Sequence, residues 1–177
     1  QDAVEALDEF IDFSLYDTVF LIHAGAGEET DVNGDSPRQI YSSYLGENDF
    51  VEAFNDSTIA YPGIETNDDA IVDKVLVLPE YEFQDFEHPY GGAMGSLGVY
   101  CFEVGQRLGM LPLFDPTPGG RPDSAGIGNF GLMGYGLFLG GGLIPSHPCA
   151  YNKVLMGWLE PYSVYPDEVE ELFTLFP

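Results

Sequence analysis

From residue 124 to residue 152 the chain carries no Asp, Glu, Lys or Arg. An uncharged span of that length raises the question of a membrane helix, which needs roughly 20 apolar residues. Residues 125–145, however, contain eight glycines, and each weakens a helix by about 1 kcal/mol relative to Ala. The span is therefore expected to form buried loops and short strands.

Outside that span acids dominate. Asp and Glu number 30 against 5 Lys and Arg, a net charge of −25. Such a chain repels phosphate backbones and anionic headgroups, and five scattered cations build no basic patch, so nucleic-acid binding and membrane-surface binding are excluded. At 177 residues with 45% hydrophobic and 14% aromatic side chains, there is enough apolar area to offset the ordering entropy of one domain. The excess of carboxylates suits a strongly hydrated surface in salty surroundings or one that attracts calcium. The chain opens on Gln1-Asp2-Ala3-Val4-Glu5 without a basic or apolar leader, so it is expected to have been cut from a longer precursor. The two cysteines, Cys101 and Cys149, are a disulfide in an oxidising compartment, worth about 4 kcal/mol in the chain-entropy picture, or small buried apolar residues in a reducing one. Without a Cys-x-x-Cys pair they make no structural zinc site.

Along the chain, Val4, Leu7, Phe10 and Ile11 at helical spacing behind an acidic start predict a first helix of about three turns. Residues 18–23, Thr-Val-Phe-Leu-Ile-His, predict a fully buried strand ending at Ala24-Gly25-Ala26-Gly27, and functional residues are expected near that strand end. In the polar stretch that follows, Asp31, Asn33 and Asp35 alternate. They form a candidate calcium loop, with Glu28 or Glu29 as helpers, or else a solvated acidic loop, since Gly34 is not where an EF-hand needs its glycine. Residues 75–79 predict a second strand after an acidic loop over 65–73. Val99, Phe102, Glu103, Gln106 and Arg107 then predict a helix over 96–108, with Ser96 as N-cap and Gly109 as its stop. Pro112, Pro116 and Pro118 impose an irregular path, residues 147–159 regain helical character, and Trp158 is expected to anchor a core. The tail over 162–177, with Leu172-Phe173 and Leu175-Phe176, suggests the start of a further element beyond a first unit over 1–161. Its apolar pairs either meet a partner or dock on the chain's own core.

Several blocks together resemble the immune inhibitor A family of secreted zinc metallopeptidases, peptidase family M-six. They are Asp12 to Asp17, Leu21-Ile22-His23-Ala24-Gly25-Ala26-Gly27-Glu28-Glu29, Gly98-Val99-Tyr100-Cys101-Phe102-Glu103-Val104-Gly105-Gln106-Arg107-Leu108-Gly109, Leu113-Phe114-Asp115, Gly128 to Gly136, and Ile144 to His147 running on through Lys153-Val154-Leu155-Met156-Gly157-Trp158-Leu159-Glu160-Pro161. They follow the family's order over most of the chain. The resemblance implies an α+β, zincin-like fold with a twisted mixed sheet, a central former active-site helix and a Gly-rich lower half. Gly131-Leu132-Met133-Gly134 resembles the methionine turn beneath the zinc in that clan, and it also suits a core methionine filling a gap.

The family's chemistry rests on His-Glu-x-x-His-x-x-Gly-x-x-Asp, in which two imidazoles one helical turn apart and a third side chain hold zinc and the Glu activates its water. Here the same frame is Phe102-Glu103-x-x-Gln106-x-x-Gly109-x-x-Pro112. Phe and Pro offer no ligand atom and Gln is a poor one, so zinc is not expected and Glu103 remains as a relic general base. His23 and His147 lie in family-like blocks and are expected to be scaffold hydrogen-bonders, which leaves His88 as the only other imidazole. The implied function is a catalytically inactive metallopeptidase-like domain, secreted to the extracellular space or cell surface, acting as a structural or binding subunit with a protein partner or copies of itself. Two alternatives stay open: a divergent metal-dependent hydrolase using Glu103, and a module that binds peptide in the old cleft without cutting it. No cofactor is expected beyond calcium in the Asp31, Asn33 and Asp35 loop.

Overall fold

The computed structural model describes residues 1–31, 33–54, 63–81, 97–115 and 125–163. Ser96, His88, Pro116, Pro118 and the tail pairs Leu172-Phe173 and Leu175-Phe176 lie outside the described residues. In chain order the elements are α1 (Asp2–Leu7), β1 (Val19–Ala26), β2 (Ser43–Leu45), α2 (Glu47–Phe54), β3 (Ile64–Glu65), β4 (Ile71–Val72), β5 (Val75–Tyr81), α3 (Leu97–Arg107) and α4 (Ala150–Leu155). Among the described residues this is a small α+β fold.

The three-stranded sheet has the order β1-β5-β2, with β1 parallel and β2 antiparallel to β5, so it is mixed. Central position explains the sequence of β5. Leu76 and Leu78 are fully buried, as expected for an uninterrupted apolar run covered on both faces. β1 lies at the sheet edge and alternates instead, with Phe20 and Ile22 50% and 59% exposed. The expectation of a fully buried strand is thus corrected: among the described residues no layer covers its outer face, and every second side chain meets solvent. The register of β1 on β5 shifts between His23 and Ala26, where Gly25 adopts φ +95°, a backbone conformation glycine takes without steric cost.

α1 is also shorter than expected and closes at Leu7, leaving Phe10 80% exposed. Asp8 and Glu9 follow directly, and carboxylates at a helix C-terminus oppose its dipole. The acidic loop over 65–73 is a hairpin, with β3 paired antiparallel to β4. Its turn is held by Asp68, which accepts from the Thr66 hydroxyl and from the N–H groups of Ala70 and Ser14. The Thr66 bond leads in drawing the Asp68 carboxyl down to about 2.

The interior has two parts. Val4, Phe13, Phe50, Ile64, Val72 and Val75 pack together between the N-terminal elements and the sheet. Val99 and Phe102 of α3 pack with Met110, Leu132, Met133 and Leu137. The uncharged Gly-rich span contributes Leu132, Met133 and Leu137 to the second part, but as 3-10 turns at Gly128–Phe130 and Tyr135–Phe138 and loops between them. The short strands expected there do not form among the described residues. Trp158 is likewise no core anchor, at 57% exposed. α4 ends at Leu155, Gly157 turns the chain at φ +69°, and the N–H of Trp158 returns to the Lys153 carbonyl at 2.8 Å, which leaves the indole outside. Among the described residues no helix is long and apolar enough to cross a membrane.

Candidate functional site

α3 is pinned at three places, and this fixes what its inner face presents. Near its start the Gly98 N–H donates to the Gly142 carbonyl at 2.9 Å. In its first turns the Tyr100 hydroxyl donates to the Pro79 carbonyl of β5 at 2.7 Å. At its end Arg107, which also suits the helix dipole, donates from Nε to Thr18 Oγ1 at 2.9 Å and from Nη2 to the Asp17 carbonyl at 3.3 Å. Met133 lies directly beneath: a Cβ on Gly105 would stand 2.8 Å from its Sδ, and Met133 is 1% exposed.

Held in this way, α3 forms one wall of a cleft of about 440 Å³. Val99, Phe102 and Glu103 face it from the helix, Leu137 and Phe138 from the Gly-rich half, and Glu29, Tyr41 and Ser42 from the segment that follows β1. Phe114 stacks between Phe102 and Tyr135, with ring centroids 6.0 Å apart in each pair and interplanar angles of 27° and 23°. Glu29 is oriented by Ser42, whose N–H donates to Oε2 at 3.1 Å and whose hydroxyl donates to Oε1. Glu103 is 4% exposed and accepts from Gln106 Nε2 at 2.7 Å. Burial pushes its carboxyl up to about 7, aided by the charge of Glu29 and opposed by donors from the Tyr44 N–H and Gln106.

That shift has a stability consequence. The folded chain holds the Glu103 proton more tightly than an unfolded one, so the favourable contribution is complete below pH 4.5 and is lost as the pH rises through about 7. Ionising the buried group costs the fold on the order of 3 kcal/mol. Glu103→Gln is therefore expected to match the parent in urea unfolding at pH 4 and to exceed it by about 1–3 kcal/mol at pH 8. Equal stability at pH 8 would show that the charged form is compensated.

The other residues singled out by sequence fall apart spatially. Gln106 is tied to Glu103, and Pro112 lies beyond the end of α3 outside the cleft lining. Asp31 organises its own loop: Oδ1 accepts from the N–H groups of Gly34 and Asp35 at 2.9 and 3.2 Å, and Oδ2 from Ser36 at 2.9 Å. Asn33 and Asp35 stand in the same loop, yet among the described residues no group of three or more His, Cys, Asp or Glu side chains is placed to hold a metal ion. Cys101 and Cys149 are both free, half-buried thiols, and burial raises the Cys101 thiol. His23 Nδ1 lies 3.1 Å from the Ala24 carbonyl, while His147 is exposed. Ser42, Tyr41 and Tyr135 were not singled out from the sequence, and Glu29 was singled out only as a helper for calcium. Its place just past the end of β1, where functional residues were expected, was the signal that points to the cleft. No family model, curated protein or solved structure matches the chain.

Proposed function

We propose that the chain is a catalytically inactive, zincin-like metallopeptidase domain of an extracellular or cell-surface assembly, and that the cleft beside α3 binds a peptide segment without cutting it. One observation carries the reading. At the positions where the family resemblance puts the zinc-binding imidazoles, Phe102 joins a stack of aromatic rings and Gln106 donates to Glu103. Both side chains are engaged in contacts that do not need a metal. Phe102 is buried, but about 440 Å³ stays open in front of it. An open, mostly apolar cleft with a few polar groups on its walls is the usual form of a binding site.

The runner-up reading, a divergent hydrolase, draws on Glu103, because a carboxyl held near pH 7 suits a general base. Elemental analysis separates the two. Protein dialysed against trace zinc is expected to retain far less than one zinc per chain, and Phe102→His combined with Gln106→His is expected to yield no peptidase activity, since Pro112 still supplies no third ligand. Near-stoichiometric zinc, or hydrolysis lost in Glu103→Gln, would instead favour the hydrolase.

A further inference from the structure

The cleft has a charge pattern of its own. Among the described residues five rings line it, those of Tyr41, Phe102, Phe114, Tyr135 and Phe138, together with two carboxyl groups and no Lys, Arg or His. The carboxyls come from different walls, Glu103 from α3 and Glu29 from the turn after β1. Glu29 is fixed by two donors from Ser42. Glu103 is buried at 4% exposure and fixed by Gln106. Aromatic faces carry negative quadrupole density, so rings and carboxylates attract the same kind of guest.

We infer that this cleft captures the cationic side chain of a lysine or arginine in a basic segment of a protein partner. The inference rests on the peptide-binding reading and narrows it. An acidic guest side chain would meet two like charges. A purely apolar one would cover the carboxyls without returning a hydrogen bond or a counter-charge, which is unfavourable. A cationic side chain lays its methylene stem along the rings and brings its head to the carboxylates, so both features of the lining are used. The whole chain adds to this, because a net charge of −25 draws in basic segments and holds off acidic ones.

The test uses the 177-residue chain and blocked alanine pentapeptides with Lys, Arg, norleucine or Glu at the centre, titrated calorimetrically at pH 8. The Lys and Arg peptides are expected to bind at least about tenfold more tightly than the norleucine peptide, with preference falling as salt is added. In Glu103→Gln that preference should shrink to within about threefold. The preference should also weaken between pH 8 and pH 6 as Glu103 takes up its proton, the other titratable groups of the lining among the described residues being Glu29 and the phenols Tyr41 and Tyr135. If norleucine binds as well as Lys and Arg, or the preference survives in Glu103→Gln, cation capture is wrong while peptide binding stands. If no peptide binds at all, the peptide-binding reading falls and the inference with it.

Discussion

Gly98→Ala is expected to destabilise the chain by about 3 kcal/mol or more, although alanine is the better helix former by about 1 kcal/mol. Gly98 is the second residue of α3, and a Cβ there would stand 1.8 Å from the carbonyl oxygen of Leu137 and 2.8 Å from its carbon. The obstacle is backbone, which no rotamer change removes. Sliding the helix is no escape, because the Gly98 N–H is committed to the Gly142 carbonyl and Tyr100 to Pro79. Gly105→Ala provides the contrast. Its Cβ meets the sulfur of Met133 at 2.8 Å, part of a flexible side chain that has room to shift only by disturbing its own packing. The expected order of loss in urea unfolding is therefore Gly98→Ala well above Gly105→Ala. A Gly98→Ala protein as stable as the parent would show that α3 does not rest on the Tyr135–Phe138 turn, and the cleft wall described above would have to be redrawn.

This contact also shows what a sequence discloses and what it withholds. The helix over 96–108 was legible because its signal is local: apolar residues at three- and four-residue spacing, then Gly109, which takes φ +100° where the structure ends the helix. The strand expected over 75–79 was legible for the same reason, as an unbroken apolar run, and it is observed as Val75–Tyr81. The exposed face of β1 was not. Residues 18–23 have the composition of an interior strand, and only the order β1-β5-β2 places them at an edge. Sheet order is decided by pairings distant in sequence. The misplacement of Trp158 has a similar origin, since the turn at Gly157 decides where the indole points while helical spacing suggests the opposite. At the site, Phe102, Glu103 and Gln106 stood out through a motif with its histidines missing. Ser42 lies in none of the family-like blocks, Glu29 and Tyr135 lie in blocks that give them no role in a cleft, and all three reach it because the parallel pairing of β1 with β5 and the docking of α3 bring three remote segments together.

Phe102→Ala is expected to cost about 3–5 kcal/mol, the range for truncating a buried phenylalanine. Phe102 is 8% exposed and has two kinds of neighbour, the apolar cluster with Met133 and Leu132 on one side and the ring of Phe114 on the other. Truncation removes both, and it joins the space left behind to a cleft already about 440 Å³ in volume. The cluster beneath is closely set, with Met133 1% exposed, so little collapse into the gap is available. Phe102→Leu separates the two contributions. It keeps most of the volume and should lose less than about 1.5 kcal/mol, yet it removes the ring that stacks on Phe114. If the rings of the cleft attract cations, the leucine variant folds nearly as well as the parent but binds Lys and Arg peptides more weakly, whereas a purely structural Phe102 would leave that binding unchanged. A loss below about 1 kcal/mol for Phe102→Ala would mean that the side chain stands in solvent and neither supports α3 nor walls the cleft.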